Sequence, residues 1–125
     1  MSKSAQDFLS EANSMVPPIA VAEAVSLINS GEAVVIDVRD GKEIDQSGTV
    51  KNALRIPRGM IEFVADPTTS FYNDQISNDK EILVICGAGG MAALTGMTLM
   101  EMGYTNVYNL GGFSAWKDAG GPTED

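Results

Sequence analysis

A short apolar strand that runs into a glycine-rich turn constrains this chain more than any other feature. Residues 82–85 (Ile-Leu-Val-Ile) form a continuous apolar run, which is typical of a strand buried on both faces of a sheet. Cys86 follows at once, and three of the next four residues (87–90) are glycine. The proline-free stretch 91–102 then predicts a helix. The turn therefore joins a buried strand to a helix and carries a thiol at its start.

Cys86 is the only cysteine of the chain, and its position suggests two roles. A thiol at this junction faces the backbone N–H groups of the turn and the positive end of the helix dipole. Both favour the thiolate, which is the reactive form. The alternative is a small apolar residue that fills the end of the strand, because free cysteines are often buried. The glycines that shape the turn favour a reactive thiol.

Composition excludes several classes of protein. The chain has 125 residues and a formal net charge of −9, which argues against binding to nucleic acid or to anionic membrane surfaces. No apolar run approaches the length of a membrane span, and the first residues lack the apolar segment of a signal peptide. A lone cysteine cannot form an internal disulfide, so we expect a cytoplasmic protein.

The absence of histidine is equally informative. It excludes Cys-His proteases and serine triads, and it removes nearly all zinc sites. We therefore expect neither a metal nor a cofactor. Any activation of Cys86 has to come from backbone dipoles or from Arg and Lys side chains.

Apolar periodicity predicts strands that alternate with helices. Helices are expected at 4–15, 22–29, 40–45 (a short polar helix or turn), 59–65, 91–102 and 114–119, and strands at 33–38, 53–56, 82–85 and 106–109. Residues 66–78 are predicted to form a polar surface connection, and Gly111–Gly112 a turn. This order implies a mostly parallel sheet covered on both faces. Because ligands bind at the carboxyl ends of such strands, Asp37, Pro57 and Cys86 could border one site.

Residues 87–92 also match G-x-G-x-x-A, the pattern of a dinucleotide-binding turn. The context contradicts that interpretation. The next strand ends near Asn109 without an Asp or Glu to hold a ribose, and only about one further strand–helix unit follows.

Three segments resemble a single-domain rhodanese, a sulfurtransferase. The first is Val35-Ile-Asp-Val-Arg-Asp40 with Glu43 and the stretch from Gly48 to Pro57, in which Thr49 stands where the family usually has His. The second is the loop 86–91, and the third runs from Met102 through Gly111-Gly112 to Trp116. The match covers roughly residues 18–120 in order and spacing, which is more specific than any single motif.

The resemblance implies a three-layer α/β/α domain around a five-stranded parallel sheet, formed by residues 18–125 and preceded by an N-terminal helix in residues 1–17. It also implies that Cys86 takes the outer sulfur of a donor such as thiosulfate and holds it as a persulfide. A thiol or a protein-borne persulfide would complete the transfer as acceptor or donor. The loop residues that would bind the donor are Gly87, Ala88, Gly89, Gly90, Met91 and Ala92.

Met91 departs from the family, whose loop carries Arg five residues after the cysteine. A lost charge-assisted hydrogen bond is worth about 1.5–3 kcal/mol, so affinity for a dianionic donor could fall roughly tenfold to hundredfold. We hypothesise that Arg58, just after Pro57, supplies the missing cation; the alternative is a solvated loop residue. Met91 could instead mark a different donor, one that is apolar or carried by a protein.

Two other functions remain as alternatives. Phosphatase or arsenate-reductase chemistry on the same scaffold needs a roomier loop with a terminal Arg, which residues 91–93 do not offer. A non-catalytic sulfur-relay or interaction module is suggested by Met91 and Thr49, although the retained Cys86 argues against it.

Other residues have structural interpretations. Arg39 and Glu43 are predicted to pair and fix the turn after the first strand. Gly96 should permit close packing of the Met91 helix, and Trp116 should anchor the last helix in the core.

Overall fold

The computed structural model describes residues 2–125. The helices are α1 (Ala5–Met15), α2 (Val21–Asn29), α3 (Gly41–Ser47), α4 (Ile61–Val64), α5 (Gly90–Glu101) and α6 (Phe113–Asp118), with a 3-10 turn at Arg58–Met60. The strands are β1 (Ala33–Asp37), β2 (Thr49–Val50), β3 (Leu54–Arg55), β4 (Glu81–Cys86), β5 (Val107–Gly112) and β6 (Thr123–Glu124). Within the described residues, no helix has the length and apolar character needed to span a membrane.

A parallel sheet in the order β3-β1-β4-β5 forms the centre of the molecule. Its two middle strands are apolar on both faces because helices cover both sides. Along β4, Ile82, Val84 and Cys86 join the core on the side of α1, α4 and α5, whereas Leu83 and Ile85 join the core beside α2 and α6. The predicted α/β/α architecture is confirmed, and the alternation directs Cys86 toward α5.

The number of strands differs from the five that the resemblance implied. The central sheet has four, and the segment next to β5 is reduced to an isolated parallel bridge between Pro18 and Asn109. Within residues 2–125, two backbone hydrogen bonds join it to β5, from Ile19 N–H to the Asn109 carbonyl and from Asn109 N–H to the Pro17 carbonyl. Two successive prolines have no N–H to donate, so no regular fifth strand forms there.

The N-terminal helix packs on its own chain. Ser4 caps α1 in a reciprocal box with Asp7, which satisfies two backbone N–H groups. Ala12 and Val16 are buried against α5, and a Cβ atom at Gly96 would lie 2.8 Å from a Val16 methyl carbon. The predicted role of Gly96 in close packing is therefore confirmed, and α1 covers one face of α5.

Residues 66–78 contain neither helix nor strand, as predicted, but the C-terminal region differs in two respects. Gly111 and Gly112 were predicted to form a turn and instead end β5, where Gly111 has φ +92°. In addition, β6 pairs with β2 in an antiparallel ladder that the sequence pattern did not indicate. Trp116 is fully buried and donates to the Pro122 carbonyl, so its predicted role as an anchor is confirmed.

Candidate active site

Cys86 is the last residue of β4 and is only 2% exposed. Its Sγ accepts hydrogen bonds from Gly89 N–H at 3.0 Å and from Ala92 N–H at 3.3 Å. Ala92 lies in the first turn of α5, where the helix dipole is positive. The sulfur therefore accepts two backbone hydrogen bonds, and donors so arranged stabilise negative charge on an acceptor.

Gly89 sets the curl of the loop. It caps α5 with φ +99°, a left-handed conformation that glycine adopts without steric cost. Its carbonyl accepts a bond from the Asn109 side chain at 3.1 Å, and Asn109 Oδ1 accepts from Gly111 N–H at 2.8 Å. Asn109 thus clamps the loop to β5. Sequence reasoning missed this residue, although an Asn near the end of the strand beside the cysteine strand was the available signal.

Of the predicted loop residues, Gly89 and Ala92 contact Cys86 Sγ, whereas Ala88, Gly90 and Met91 line the clefts beside the loop. Within residues 2–125, no protein acceptor takes the N–H groups of Gly90 and Met91, which are the first two of α5. These two N–H groups remain available to bind a second sulfur atom or the oxygen atoms of a sulfur-donating molecule. The Met91 side chain is 40% exposed and brings no charge.

Arg58, by contrast, has its guanidinium bound elsewhere. Nη1 donates to Glu62 at 3.1 Å and Nη2 donates to the Thr98 hydroxyl at 3.0 Å. Thr98 lies eight residues beyond Gly90 along α5, a rise of about 12 Å. The hypothesised contact of Arg58 with a donor stays a prediction.

A buried polar cluster lies beside the loop. Arg39 Nη2 donates to Asp37 Oδ2 at 2.7 Å, the Thr49 hydroxyl donates to the same oxygen at 2.7 Å, and Glu43 stands 3.5 Å from Arg39. The carboxylate of Asp37 raises the pKa of Arg39. The predicted Arg39–Glu43 pair exists, but its shorter and fully buried counterpart is Asp37. Arg39 also lies over the Phe113 ring, so the cluster joins β1 to α6.

Two clefts adjoin the loop. The larger, of about 610 Å³, lies between α1 and α5, and we call it the α1–α5 groove. It is lined by Ala5, Phe8, Leu9, Arg58, Gly90, Met91, Leu94, Met97, Thr98 and Glu101. The smaller, of about 380 Å³, borders Ala88, Gly89 and Asn109. Both include residues of the loop around Cys86.

Comparison with known proteins identifies the family. The model of the rhodanese-like domain matches residues 20–119, so this chain belongs to that family. Thiosulfate sulfurtransferase GlpE of Coxiella burnetii is 30% identical over 112 residues, which are 89% of this chain and 95% of that protein. The resemblance seen in the sequence is confirmed, and sulfur transfer is the general chemistry that the family supports.

Solved structures agree on the fold. A Rhodopseudomonas palustris protein of unknown function, described as a possible tyrosine phosphatase, superposes with a TM-score of 0.89 at 35% identity, covering 99% of this chain and 96% of that one. The human single-domain sulfurtransferase TSTD1 has a TM-score of 0.71 at 24% identity and covers 82% of this chain and 96% of its own. The second likeness concerns the fold alone.

Proposed function

We propose that this protein is a sulfurtransferase that carries a sulfane sulfur on Cys86 as a persulfide. The observation that supports it best is the pair of N–H donors on Cys86 Sγ, from Gly89 and Ala92. They belong to the loop and to the start of α5, so the sulfur lies at a helix N-terminus that favours its anionic form.

In the first half-reaction the Cys86 thiolate attacks the outer sulfur of a donor such as thiosulfate. A new S–S bond forms to Cys86, the S–S bond of the donor breaks, and its electron pair leaves with sulfite. No proton or external electron is required. In this proposal the N–H groups of Gly90 and Met91, which have no protein acceptor within residues 2–125, hold the terminal persulfide sulfur, as an oxyanion hole holds an oxygen.

In the second half-reaction a nucleophile takes the terminal sulfur. A thiolate acceptor attacks it and leaves as a persulfide, while Cys86 regains its thiolate. A persulfide on another protein could load Cys86 by the reverse of this step. The chemistry needs reduced thiols, which favours the cytoplasm as its compartment.

Phosphatase or arsenate-reductase chemistry has weaker support. It needs a guanidinium that clamps a tetrahedral oxyanion over the cysteine. The chain has three arginines, and each has another partner: Arg39 binds Asp37, Arg58 binds Glu62, and Arg55 binds the carbonyl of Asp125.

Arg58 as the cation for an anionic donor remains part of the proposal. We expect Arg58→Ala to lower thiosulfate turnover, because it removes the positive charge. Glu62→Gln should raise turnover, because the ion pair with Glu62 offsets part of the charge of Arg58. Arg55→Ala removes an arginine of similar exposure whose partners are Glu124 and Asp125 and which does not line either cleft beside the loop, so it serves as the control. Unchanged turnover in Arg58→Ala would remove this residue from the site.

Intact-mass measurement tests the whole proposal. Incubation with thiosulfate should add one sulfur atom to the protein, cyanide should remove it, and Cys86→Ser should show no addition. If neither thiosulfate nor an organic persulfide adds sulfur to the wild-type chain, the enzymatic assignment fails and the non-catalytic module is favoured.

A further inference from the structure

The α1–α5 groove supplies the loop with an apolar wall. Phe8 and Leu9 come from α1, whereas Met91, Leu94 and Met97 come from α5. Phe8 and Met91 are 43% and 40% exposed, and because both line the same groove they add to one apolar surface and are not scattered single side chains. The volume of about 610 Å³ lies within the range of small-molecule sites, roughly 300–1,000 Å³.

The groove is continuous with the reactive loop. Gly90 and Met91 line the groove and also belong to the turn that surrounds Cys86 Sγ. A Cβ atom at Gly90 would lie 3.5 Å from a Leu9 methyl carbon, so α1 reaches the first residue of α5. A molecule whose body lies against Phe8 and Leu9 is therefore next to the first residue of α5, at the end of the loop that follows Cys86.

The charges around this surface disfavour a dianionic donor. Arg58 is paired with Glu62, and Lys3, which lies over the Phe8 ring, is paired with Glu11. Glu101 adds a carboxylate at the far end of the groove. On the other side of the loop, a Cβ atom at Gly87 would lie 3.6 Å from the Glu43 carboxylate. An apolar molecule matches this environment better than thiosulfate does.

We propose that the α1–α5 groove binds donors whose sulfane sulfur is carried on an apolar alkyl or aryl body, such as organic persulfides and thiosulfonates. This inference rests on the proposed sulfurtransferase function and names its substrate class. The specificity would come from α1, which lies outside the family match at 20–119. The alignment with the Rhodopseudomonas palustris protein covers 99% of the chain and so takes in this segment.

Two thiosulfonates provide a matched pair of probes. Benzenethiosulfonate and methanethiosulfonate each carry one negative charge and differ in the apolar body. The Cys86 thiolate attacks the outer sulfur of either, the S–S bond breaks, and the electron pair leaves with benzenesulfinate or methanesulfinate. The persulfide formed on Cys86 is the same in both cases, and the intrinsic difference between the two sulfinate leaving groups is the same for every variant, so a change in the ratio of the two kcat/KM values between variants reports contact with the apolar body.

We expect the wild-type protein to prefer the aryl donor by about tenfold. Phe8→Ala should reduce that ratio about fivefold, because the ring loses its apolar contact. Phe63→Ala is the matched control: Phe63 is also an exposed phenylalanine, but it packs on Phe71 outside the groove, and its loss should leave the ratio unchanged. Equal use of both donors, or a ratio that Phe8→Ala does not change, would show that the α1–α5 groove does not bind the apolar body of the donor. The sulfurtransferase function would be unaffected by that result.

A binding measurement separates the sulfurtransferase function from the proposed substrate class of the groove. Benzenesulfonate lacks a sulfane sulfur, so its binding does not depend on catalysis. It should shift the methyl NMR signals of Met91 and Met97, and methanesulfonate should shift them much less. If benzenesulfonate binds there but no donor forms a persulfide, the sulfurtransferase function fails together with the substrate class. If sulfur donors react but benzenesulfonate does not shift these two methyl signals, only the proposed substrate class of the groove is wrong.

Discussion

Gly112 lies so close to the carbonyl oxygen of Gly87 that a Cβ atom at position 112 would stand 2.5 Å from that oxygen. In the register of the sheet, Gly112 on β5 is the partner of Cys86 on β4. The residue opposite Cys86 therefore has no side chain, and the loop after Cys86 occupies the space. Gly112 itself has φ −98°, which any residue can adopt, so the constraint is room and not backbone conformation.

Gly112→Ala should displace the loop. A methyl group at this position has to push the Gly87 carbonyl away, which moves the turn that places Gly89 N–H on Cys86 Sγ. We expect persulfide formation from thiosulfate to fall by at least about tenfold, with a loss of unfolding free energy of about 1–3 kcal/mol. The rate of sulfur addition by mass and the urea midpoint measure the two effects.

Gly59→Ala is the control for that substitution. A Cβ atom at Gly59 would meet nothing within 4 Å, and its backbone is not left-handed, so both the rate and the midpoint should stay near wild type. A Gly112→Ala protein that adds sulfur at the wild-type rate would show that the close contact does not shape the site.

Secondary-structure elements whose formation is determined by local sequence could be predicted. The first helix, the buried strand that ends at Cys86 and the glycine-rich turn after it were all visible in local patterns. Each of these three elements depends on periodicity or on a residue with a special conformation, and none of them requires knowledge of the rest of the fold.

Contacts between distant residues could not be predicted. The Asn109 side chain binds the Gly89 carbonyl across 20 residues, and β6 pairs with β2 over more than 70. Arg39 shows a different reason: helical spacing indicated Glu43, but a buried guanidinium binds most tightly to the carboxylate that is buried with it, Asp37. The burial of a single charged side chain such as Asp37 is a property of the folded chain and has no local signature.

Thr49 should stabilise the polar cluster through its hydroxyl. The hydroxyl is buried and donates to Asp37 Oδ2 at 2.7 Å, and a hydrogen bond to a charged group contributes about 1.5–3 kcal/mol. Thr49→Val keeps the shape and removes the bond, so we expect a loss in that range. Urea unfolding followed by the fluorescence of Trp116, the only tryptophan, measures it.

Thr49→Ser separates the hydroxyl from the methyl group. It keeps the donor and loses one methyl, which costs about 0.8 kcal/mol. The serine variant should therefore be more stable than the valine variant. The opposite order would mean that packing at this position outweighs the bond to Asp37.

Tyr104 should make stability fall at alkaline pH. Its hydroxyl donates to the Ala65 carbonyl at 2.6 Å, and burial, followed by the nearby charges of Tyr72 and Asp66, raises the pKa of Tyr104 above its usual 10.0. The unfolded chain releases the phenolic proton near pH 10, whereas the folded chain keeps it to higher pH. The unfolding free energy due to Tyr104 is thus fully present below pH 10 and is lost as the pH rises toward the higher, folded-state pKa.

Tyr104→Phe tests this dependence. The variant loses a hydrogen bond of about 0.5–1.5 kcal/mol at neutral pH, but its stability should fall less steeply than that of wild type above pH 10. Burial also raises the pKa of Tyr108, which is present in both proteins, so the difference between them isolates Tyr104. Parallel curves above pH 10 would contradict the assignment.

Met91→Arg should convert the loop to one that accepts an anionic donor. Met91 is exposed and precedes Ala92, whose N–H binds Cys86 Sγ, so we expect a guanidinium there to reach the oxygens of a sulfur donor next to Cys86. One charge-assisted hydrogen bond contributes about 1.5–3 kcal/mol, so we expect kcat/KM for thiosulfate to rise about tenfold to hundredfold.

Met15→Arg is the control, because Met15 is equally exposed (41%) at the end of α1 and an arginine there adds the same charge away from the loop. The gain in Met91→Arg should decrease with added salt, since the new attraction is electrostatic and the site is open to solvent. A gain of similar size in Met15→Arg would point to net charge instead, and no gain in either variant would show that thiosulfate binding is not limited by the missing cation.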